Sequence, residues 1–456
     1  MLDELLKEAR RLTTPNKLEV EKAGRVAETV IESIKQNSLS SPFKPEVISG
    51  GSFARDTWLP SEADIDIFLR YPLNASKTDL EQDSFETASK VFGRGNLIIR
   101  YAEHPYVETY VDGIRVNVVP CYNVAKGRWL TAADRSPYHL EFMKKNLTQE
   151  QKSDVRILKK FMKVAGIYGA EIKVGGFSGY MCEVLIFRFK SFKDLVTSAS
   201  EWRLPIVITD LEQVENAKEQ FINDKLIITD PVDVNRNLGK ALSIKTFSRF
   251  IIACRSLLKT PKIEYFIGKR VETRALTSPL LENLLAIYFE HKEMSVDILW
   301  GMLNHTVKSL AKHFENYGFK IVRSLAVSND KDASAFIFLF EENNIPKYEI
   351  RHGPYAFEKE NTNKFTSKNK DISVLMWINE DGRICALKNR NITTNTSFAR
   401  EILKDPTKYG VSKKIVEPLK NNGKILLGRE VKADSRRWIT EGVKEILEPT
   451  DQNYLS

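Results

Sequence analysis

Cysteine is scarce in this chain: four in 456 residues, at positions 121, 182, 254 and 385, with no two close together. That spacing excludes a disulfide-dense scaffold, a zinc knuckle and a CxxC redox motif. Free thiols in a reducing compartment are the expected state, and the cytoplasm the expected location. Long apolar runs are also missing. The best candidate, Pro279 to Phe289, is short and carries Glu282, so no membrane span is expected. The N-terminus opens with Asp3 and Glu4 in place of a basic-then-apolar leader, which disfavours secretion. Fixed-period repeats and low-complexity tracts are absent as well.

What remains is a globular composition, with 42% hydrophobic and 28% charged residues. The length fits two to four domains at roughly 100–200 residues each. Lys and Arg number 69 against 60 Asp and Glu, a net charge of +9. The excess is uneven. Residues 151–200 carry +5 and residues 351–450 carry +7, so the rest is slightly acidic. Two basic regions on a near-neutral background point to a polyanionic partner.

Hydrophobic periodicity divides the chain. Residues 15–36 read as an amphipathic helix capped by Thr14, with Pro15 in its first position and Leu18, Ala23, Val26, Val30 and Ile34 on one face. Short strands are expected at Glu46–Ser49, Ile65–Leu69 and Leu97–Ala102. Tyr106–Val111 and Ile114–Val119 flank Asp112-Gly113, a strong hairpin signal. Residues 1–145 therefore read as a small α/β head with an antiparallel or mixed sheet. Residues 146–258 read as a helical neck, with one stripe through Val155, Leu158, Phe161 and Met162, another through Phe247, Phe250, Ile251 and Cys254, and a glycine-rich loop at 175–179. Residues 259–456 read as an α+β body and tail. They include a long helix at Val296–Tyr317, strands at Ser334–Phe340, Val374–Ile378 and Ile384–Leu387, a helix from Phe398, and a loop or irregular insert from Glu358 to Asp371.

The segment that carries chemistry runs from Gly50 to Phe68. Two glycines after a strand let backbone amides approach an anion, at an expected helix start. Ser52 adds a hydroxyl donor, and Arg55 a forked cation for phosphate oxygens. Twelve residues after Ser52 comes Asp64-Ile65-Asp66. In a strand the two carboxylates share a face, about 7 Å apart at Cα, while Ile65 and Ile67 face the core. Paired carboxylates repel unless a cation sits between them, and magnesium shared with a triphosphate is the natural occupant. A phosphate cradle beside such a pair suits nucleotidyl transfer.

The combination resembles the nucleotidyltransferase superfamily that includes DNA polymerase β. Further segments resemble the archaeal-type (class I) CCA-adding enzymes: Arg100 to Tyr106, Val116 to Tyr122, Asp134 to His139, Gly166 to Glu171, Gly175 to Tyr180 and Asp230 to Asp233. The close likeness spans residues 50 to 255; beyond that it is one of layout. It implies an α+β multidomain protein with a polymerase-β-like nucleotidyltransferase head, a helical neck, and an α+β C-terminal RNA-binding body and tail. It implies template-independent addition of C, C and A to the 3′ end of tRNA from CTP and ATP, with magnesium as cofactor. Ser52 and Arg55 fall on triphosphate contacts, and Asp64 and Asp66 on metal ligands. His139, Lys159 and Tyr168 fall where the family holds the incoming nucleotide, Ser136 takes a position that is often threonine, and Arg236 falls where an arginine helps read the base. Without the resemblance, Lys159 reads as part of a solvated face with Arg156, Lys160 and Lys163, Tyr168 as packing, and His139 as a satisfied histidine.

One departure stands out. The third catalytic and metal-binding position, a carboxylate in the family, is Asn117 here. An amide offers one neutral oxygen and cannot accept the 3′-hydroxyl proton, so nucleotide and tRNA binding are expected to survive while the chemical step slows by orders of magnitude. An introduced Asp→Asn change and a natural variant with altered metal chemistry both fit. So does compensation by Glu108, which a two-residue turn places opposite Asn117, although a solvent-facing strand glutamate is the simpler expectation there. Two rival functions are a poly(A)- or oligoadenylate-forming polymerase and an RNA-binding relative that has lost catalysis. The sequence leaves the oligomeric state open, a homodimer being one option.

Overall fold

Two helices open the chain, α1 (Leu2–Thr13) and α2 (Lys17–Ser38). The cap of α2 is Asn16, not Thr14. Asn16 Oδ1 accepts from the Glu19 amide at 3.0 Å, and the Glu19 carboxylate accepts from the Asn16 amide at 2.9 Å. Thr14 is drawn back to the preceding helix, where its hydroxyl donates to the Arg10 carbonyl at 2.7 Å. Ala23, Val26, Val30 and Ile34 are buried, whereas Leu18 is 77% exposed and lies off the core face.

The computed structural model describes residues 2–101, 105–268 and 277–455. Residues 102–104, which hold the end of the expected third strand and part of the Arg100–Tyr106 motif, lie outside them. The chain forms two units, residues 1–271 with 450–456, and residues 272–449.

In the first unit, β1 (Glu46–Gly50), α3 (Gly51–Ala54), β2 (Asp64–Tyr71), α4 (Lys77–Phe92), β3 (Ile98–Tyr101), β4 (Pro105–Val111) and β5 (Ile114–Tyr122) follow in order. The sheet order is β1-β2-β5-β4-β3. It is mixed: β2 and β5 run parallel, and the other pairs antiparallel. Ile65, Ile67, Val116 and Val118 pack with α2 and Leu80 and Ala88 of α4 in one core. Alternation then leaves Asp64, Asp66, Arg115 and Asn117 on the opposite face.

The same unit continues with α5 (Ser136–Asn146), α6 (Gln149–Val164), α7 (Gly179–Phe189), α8 (Phe192–Ser200), β6 (Ile206–Ile208), α9 (Val214–Gln220), β7 (Leu226–Ile228), α10 (Ile244–Lys259) and α11 (Glu264–Ile267). Both expected stripes enter one core, which also takes Leu6 and Ala9 of α1 and Tyr454 near the C-terminus.

The second unit holds β8 (Leu284–Glu290), α12 (Val296–Tyr317), β9 (Ile321–Ser328), β10 (Ala333–Phe340), β11 (Tyr348–Tyr355), α13 (Lys359–Asn369), β12 (Ser373–Ile378), β13 (Arg383–Asn389), α14 (Asn395–Lys404), α15 (Lys413–Asn422), β14 (Lys424–Leu427), α16 (Gly428–Ala433) and α17 (Arg437–Leu447). The last helix, α18 (Gln452–Leu455), belongs to the first unit. A four-stranded sheet, β14-β8-β10-β9, carries cores on both faces, one with α12, α14 and α15 and the other with α17. A three-stranded sheet, β11-β13-β12, stands beside α13. That helix corrects the loop expected at 358–371. Its residues are nearly all polar, and the anchor is the Phe365 ring, which lies over Gly353 of β11 where a Cβ would come within 2.9 Å. Among the described residues, no helix is long and apolar enough to cross a membrane.

Candidate active site

The sheet register places the acids. Parallel pairing of β2 with β5 sets Asp64 beside Arg115 and Asp66 beside Asn117, and the hairpin sets Asn117 opposite Glu108. One row therefore crosses four strands as Gly50, Asp66, Asn117 and Glu108. Asn117 is 8% exposed. Its Nδ2 donates to Asp66 Oδ1 at 2.8 Å, while its Oδ1 is buried without a hydrogen-bond partner among the described residues. Burial pushes the Asp66 carboxyl above the ordinary carboxylate range, with the Asn117 amide pulling the other way and Asp64 adding to the rise. Asp64 is held side-on by the Nε and Nη2 edge of the Arg115 guanidinium, with Nε at 3.0 Å from Oδ1.

Glu108 is not solvent-facing: it is 3% exposed. Its carboxylate accepts from Arg100 Nη2 at 2.7 Å and lies 3.9 Å from Arg115 Nη1. Burial without those cations would be costly. Glu108 thus neighbours Asn117 but is already engaged by arginines.

Gly51, the first residue of α3, has φ of +69°, and a Cβ built there would overlap Asp66 Oδ2. Only glycine meets both conditions. Gly51→Ala should therefore displace Asp66 and cut nucleotide incorporation by about tenfold or more, with a stability loss of ~1–3 kcal/mol; steady-state incorporation and a melting curve would check both.

A cleft of about 760 Å³ opens beside the acids, and Ser52, Trp58, Asp64, Arg115, Lys159 and Tyr168 are on its wall. Four residues nominated from sequence, Ser52, Asp64, Lys159 and Tyr168, thus share one space. Lys159 is 2% exposed, and its neighbour Arg156 is buried too, so this side of α6 is no solvated face. Lys159 Nζ donates to the Thr57 carbonyl at 2.8 Å and lies 3.9 Å from Glu183. Burial pulls its pKa below the ordinary lysine range, against the opposing pull of Glu183. Arg55 turns toward Glu183, with Nε 2.7 Å from Oε2. Tyr168 lies under the Lys163 ammonium, 5.1 Å from the ring centroid. It is held by the glycine-rich loop, whose backbone pairs with Ile167 and Gly169. Gly176 approaches the Ile167 carbonyl too closely for any Cβ.

A second cluster surrounds Asp230. It accepts from His139 Nε2 and from the Tyr180 hydroxyl, each at 2.8 Å, from the Val232 amide at 2.9 Å, and from Arg236 Nη1 at 3.3 Å. The His139 and Tyr180 rings stack at 3.8 Å. Burial pulls the His139 pKa below its ordinary value despite Asp230. Asp233 holds Arg135 at 2.7 Å, just before Ser136, which begins α5. Both acids of the Asp230–Asp233 motif therefore anchor the start of α5. Asp134 accepts from the backbone amides of Tyr122, Leu130 and Thr131, each at 2.8 Å, and so fixes the loop that leads there.

Sequence reasoning missed Glu183, the one acid in the otherwise apolar stretch Met181–Phe187 of α7. The signal was available: a carboxylate amid buried apolar residues needs a buried partner.

Three family models match the chain in succession. They are a nucleotidyltransferase domain over residues 27–146, the second domain of tRNA nucleotidyltransferase over 153–267, and the C-terminal domain of CCA-adding enzyme over 282–428. The CCA-adding enzyme of Pyrobaculum neutrophilum is 37% identical over 360 residues, covering 78% of this chain and 83% of that protein. That of Sulfolobus acidocaldarius is 35% identical over 384 residues, covering 84% and 87%. The chain belongs to the archaeal-type CCA-adding enzymes. Among solved structures, E. coli MS115-1 CdnC with ATP is similar over 59% of this chain and 98% of its own, at TM-score 0.45 and 16% identity.

The donor set at the acid row is two carboxylates and one amide. Among the described residues, no three His, Cys, Asp or Glu side chains gather to hold a metal. The residues present still fit a divalent cation. Two carboxylates lie on one face, one of them disfavoured by burial, and the Asn117 Oδ1 is a buried acceptor that none of the described residues satisfies. Oxygen-only donors match magnesium.

Proposed function

We propose that this CCA-adding enzyme extends tRNA 3′ ends with C, C and A by the acid row and cleft of its first unit. The family match over most of the chain carries the reaction, and Asp64 on the cleft wall, with Asp66 and Asn117 on the same sheet face, supports the place. Asp64, Asp66 and Asn117 Oδ1 would hold magnesium, which when bound supplies Lewis acidity toward the triphosphate and the 3′-hydroxyl. The chain's own part is positioning. Ser52, Arg55 and Lys159 hold the triphosphate, and Tyr168 packs on the nucleotide. His139, Ser136 and Arg236 lie around the base, with Arg236 held on Asp230. The 3′-hydroxyl gives its proton to solvent water as its oxygen bonds to the α-phosphorus, the bond from that phosphorus to the α,β-bridging oxygen breaks, and pyrophosphate leaves. Residue 117 takes no proton, because an amide has no basic lone pair to offer.

In this reading residues 1–145 are the catalytic head, 146–258 the nucleotide-reading neck, and 259–456 the body and tail, of which α11 and α18 belong to the first unit. Cationic residues there grip the acceptor stem through phosphates and shape. The work is cytoplasmic.

The test is incorporation of labelled CTP and ATP into a tRNA truncated before CCA. Two C additions followed by one A are expected. Strict ATP use with long tails would instead establish the poly(A)-type alternative. The logarithm of tRNA affinity should fall with the logarithm of salt at a slope of several units; a slope near zero would contradict the phosphate grip.

A further inference from the structure

We propose that Glu183 is a positioning residue that sets Arg55 and Lys159 for the nucleotide triphosphate. The inference rests on the functional reading above and assigns a role outside the acid row.

Glu183 is 0% exposed. Its Oε2 lies 2.7 Å from Arg55 Nε. Its Oε1 accepts from the Thr57 hydroxyl at 2.6 Å and lies 3.9 Å from Lys159 Nζ. Lys159 in turn donates to the Thr57 carbonyl and, at 3.2 Å, to the Thr57 hydroxyl. One carboxylate on α7 thus ties together a cation after α3, a cation on α6 and the hydroxyl between them. A buried carboxylate is retained only with such partners.

The charge balance gives the cluster its use. Arg55 and Lys159 share the single Glu183 carboxylate, so within this cluster one positive charge is unmatched, while the cleft wall as a whole sets Arg115, Lys159 and Lys163 against Glu62, Asp64 and Glu171. A phosphate placed against Arg55 and Lys159 complements that local excess. Without Glu183 the two cations would repel, the Arg55 fork would lose its orientation, and Lys159 would shed its proton more readily. The titratable and charged groups acting on Lys159 are Glu183 and Cys182 of α7, Arg55, and Arg156 on α6 itself. Only the first carries negative charge at neutral pH.

Helix α7 also carries Tyr180, one turn before Glu183 and on the same face, bonded to Asp230. Asp230 holds His139 and Arg236. The two acids serve different groups: Glu183 serves the phosphate-binding cations, and Asp230 the residues around the base. Loss of Glu183 should therefore weaken CTP and ATP equally.

The experiment uses the full chain with magnesium, measuring CTP and ATP affinity by calorimetric titration for the parent, Glu183→Gln and Thr57→Val. Glu183→Gln should weaken both nucleotides by about tenfold or more and by the same factor, and shift the alkaline limb of the incorporation pH profile downward. Thr57→Val, which removes one donor and leaves the carboxylate, should weaken both by a smaller factor. Affinity of a folded Glu183→Gln protein equal to the parent's for both nucleotides overturns the proposal. If Glu183→Gln does not fold, unchanged affinity in Thr57→Val overturns it. A change confined to one nucleotide also overturns it, by making Glu183 a base-reading residue. Failure of the parent itself to bind either nucleotide sinks the functional reading, a result distinguishable from all of these.

Discussion

Asn117→Asp should raise the rate of nucleotide incorporation by about 10²-fold or more. The backbone at this position is fixed by pairing with Asp66 on one side and Glu108 on the other, and aspartate matches asparagine in size, so the side chain keeps its place. What changes is chemistry. The Nδ2 that now donates to Asp66 at 2.8 Å becomes a second acceptor, and a third negative charge joins two. Without metal the added charge is destabilising, because burial already pushes the Asp66 carboxyl upward. The variant should therefore melt at a lower temperature than the parent in chelator and recover on adding magnesium. Single-turnover incorporation of CTP and ATP, with paired melting curves, reads both effects. A flat response in rate would support the lapsed RNA-binding reading over the enzymatic one.

Asp66→Asn should have the opposite result, a loss of incorporation on the order of 10³-fold. Asp66 sits between Gly51 and Asn117, with Gly50 as its partner on β1. Neutralising it leaves Asp64, already paired with Arg115, as the sole acid of the DxD pair. Fold stability should hold or rise slightly, since a disfavoured buried charge has been removed. Glu108→Gln should cost far less, because the Glu108 carboxylate is committed to Arg100. If Glu108→Gln matched Asp66→Asn in its effect, Glu108 would be a metal ligand after all. Initial rates with saturating tRNA and each nucleotide, compared across the three proteins, decide it.

Much of the acid row was legible in the sequence because strands have a period of two and tight turns fix register. Asp112-Gly113 alone placed Glu108 opposite Asn117, as observed, and the DxD alternation placed both acids opposite the core. Charge environment was not legible. Lys159 and Arg156 read as solvated because nothing local shows that α6 is buried on several sides, and Glu108 read as exposed because its partner Arg100 is on another strand. The Thr14 cap failed for a local reason: Asn16 has its own reciprocal partner in Glu19, and Thr14 serves the preceding helix. The helix at 359–369 was missed because its stripe is one aromatic ring. Glu183 escaped because its partners come from positions about 25 and 125 residues away, a distance no pattern in a single sequence spans.

The parallel pairing of β2 and β5 has one more implication. Backbone pairing sets the register of residue 117, so exchanging its amide nitrogen for oxygen keeps it in line, and the lost bond to Asp66 and added charge are felt only where magnesium is missing. With magnesium present, catalytic speed is a dial separate from foldability: a slow version of the protein would melt normally, accumulate to normal levels and still occupy its RNA, and a measurement of turnover would expose it.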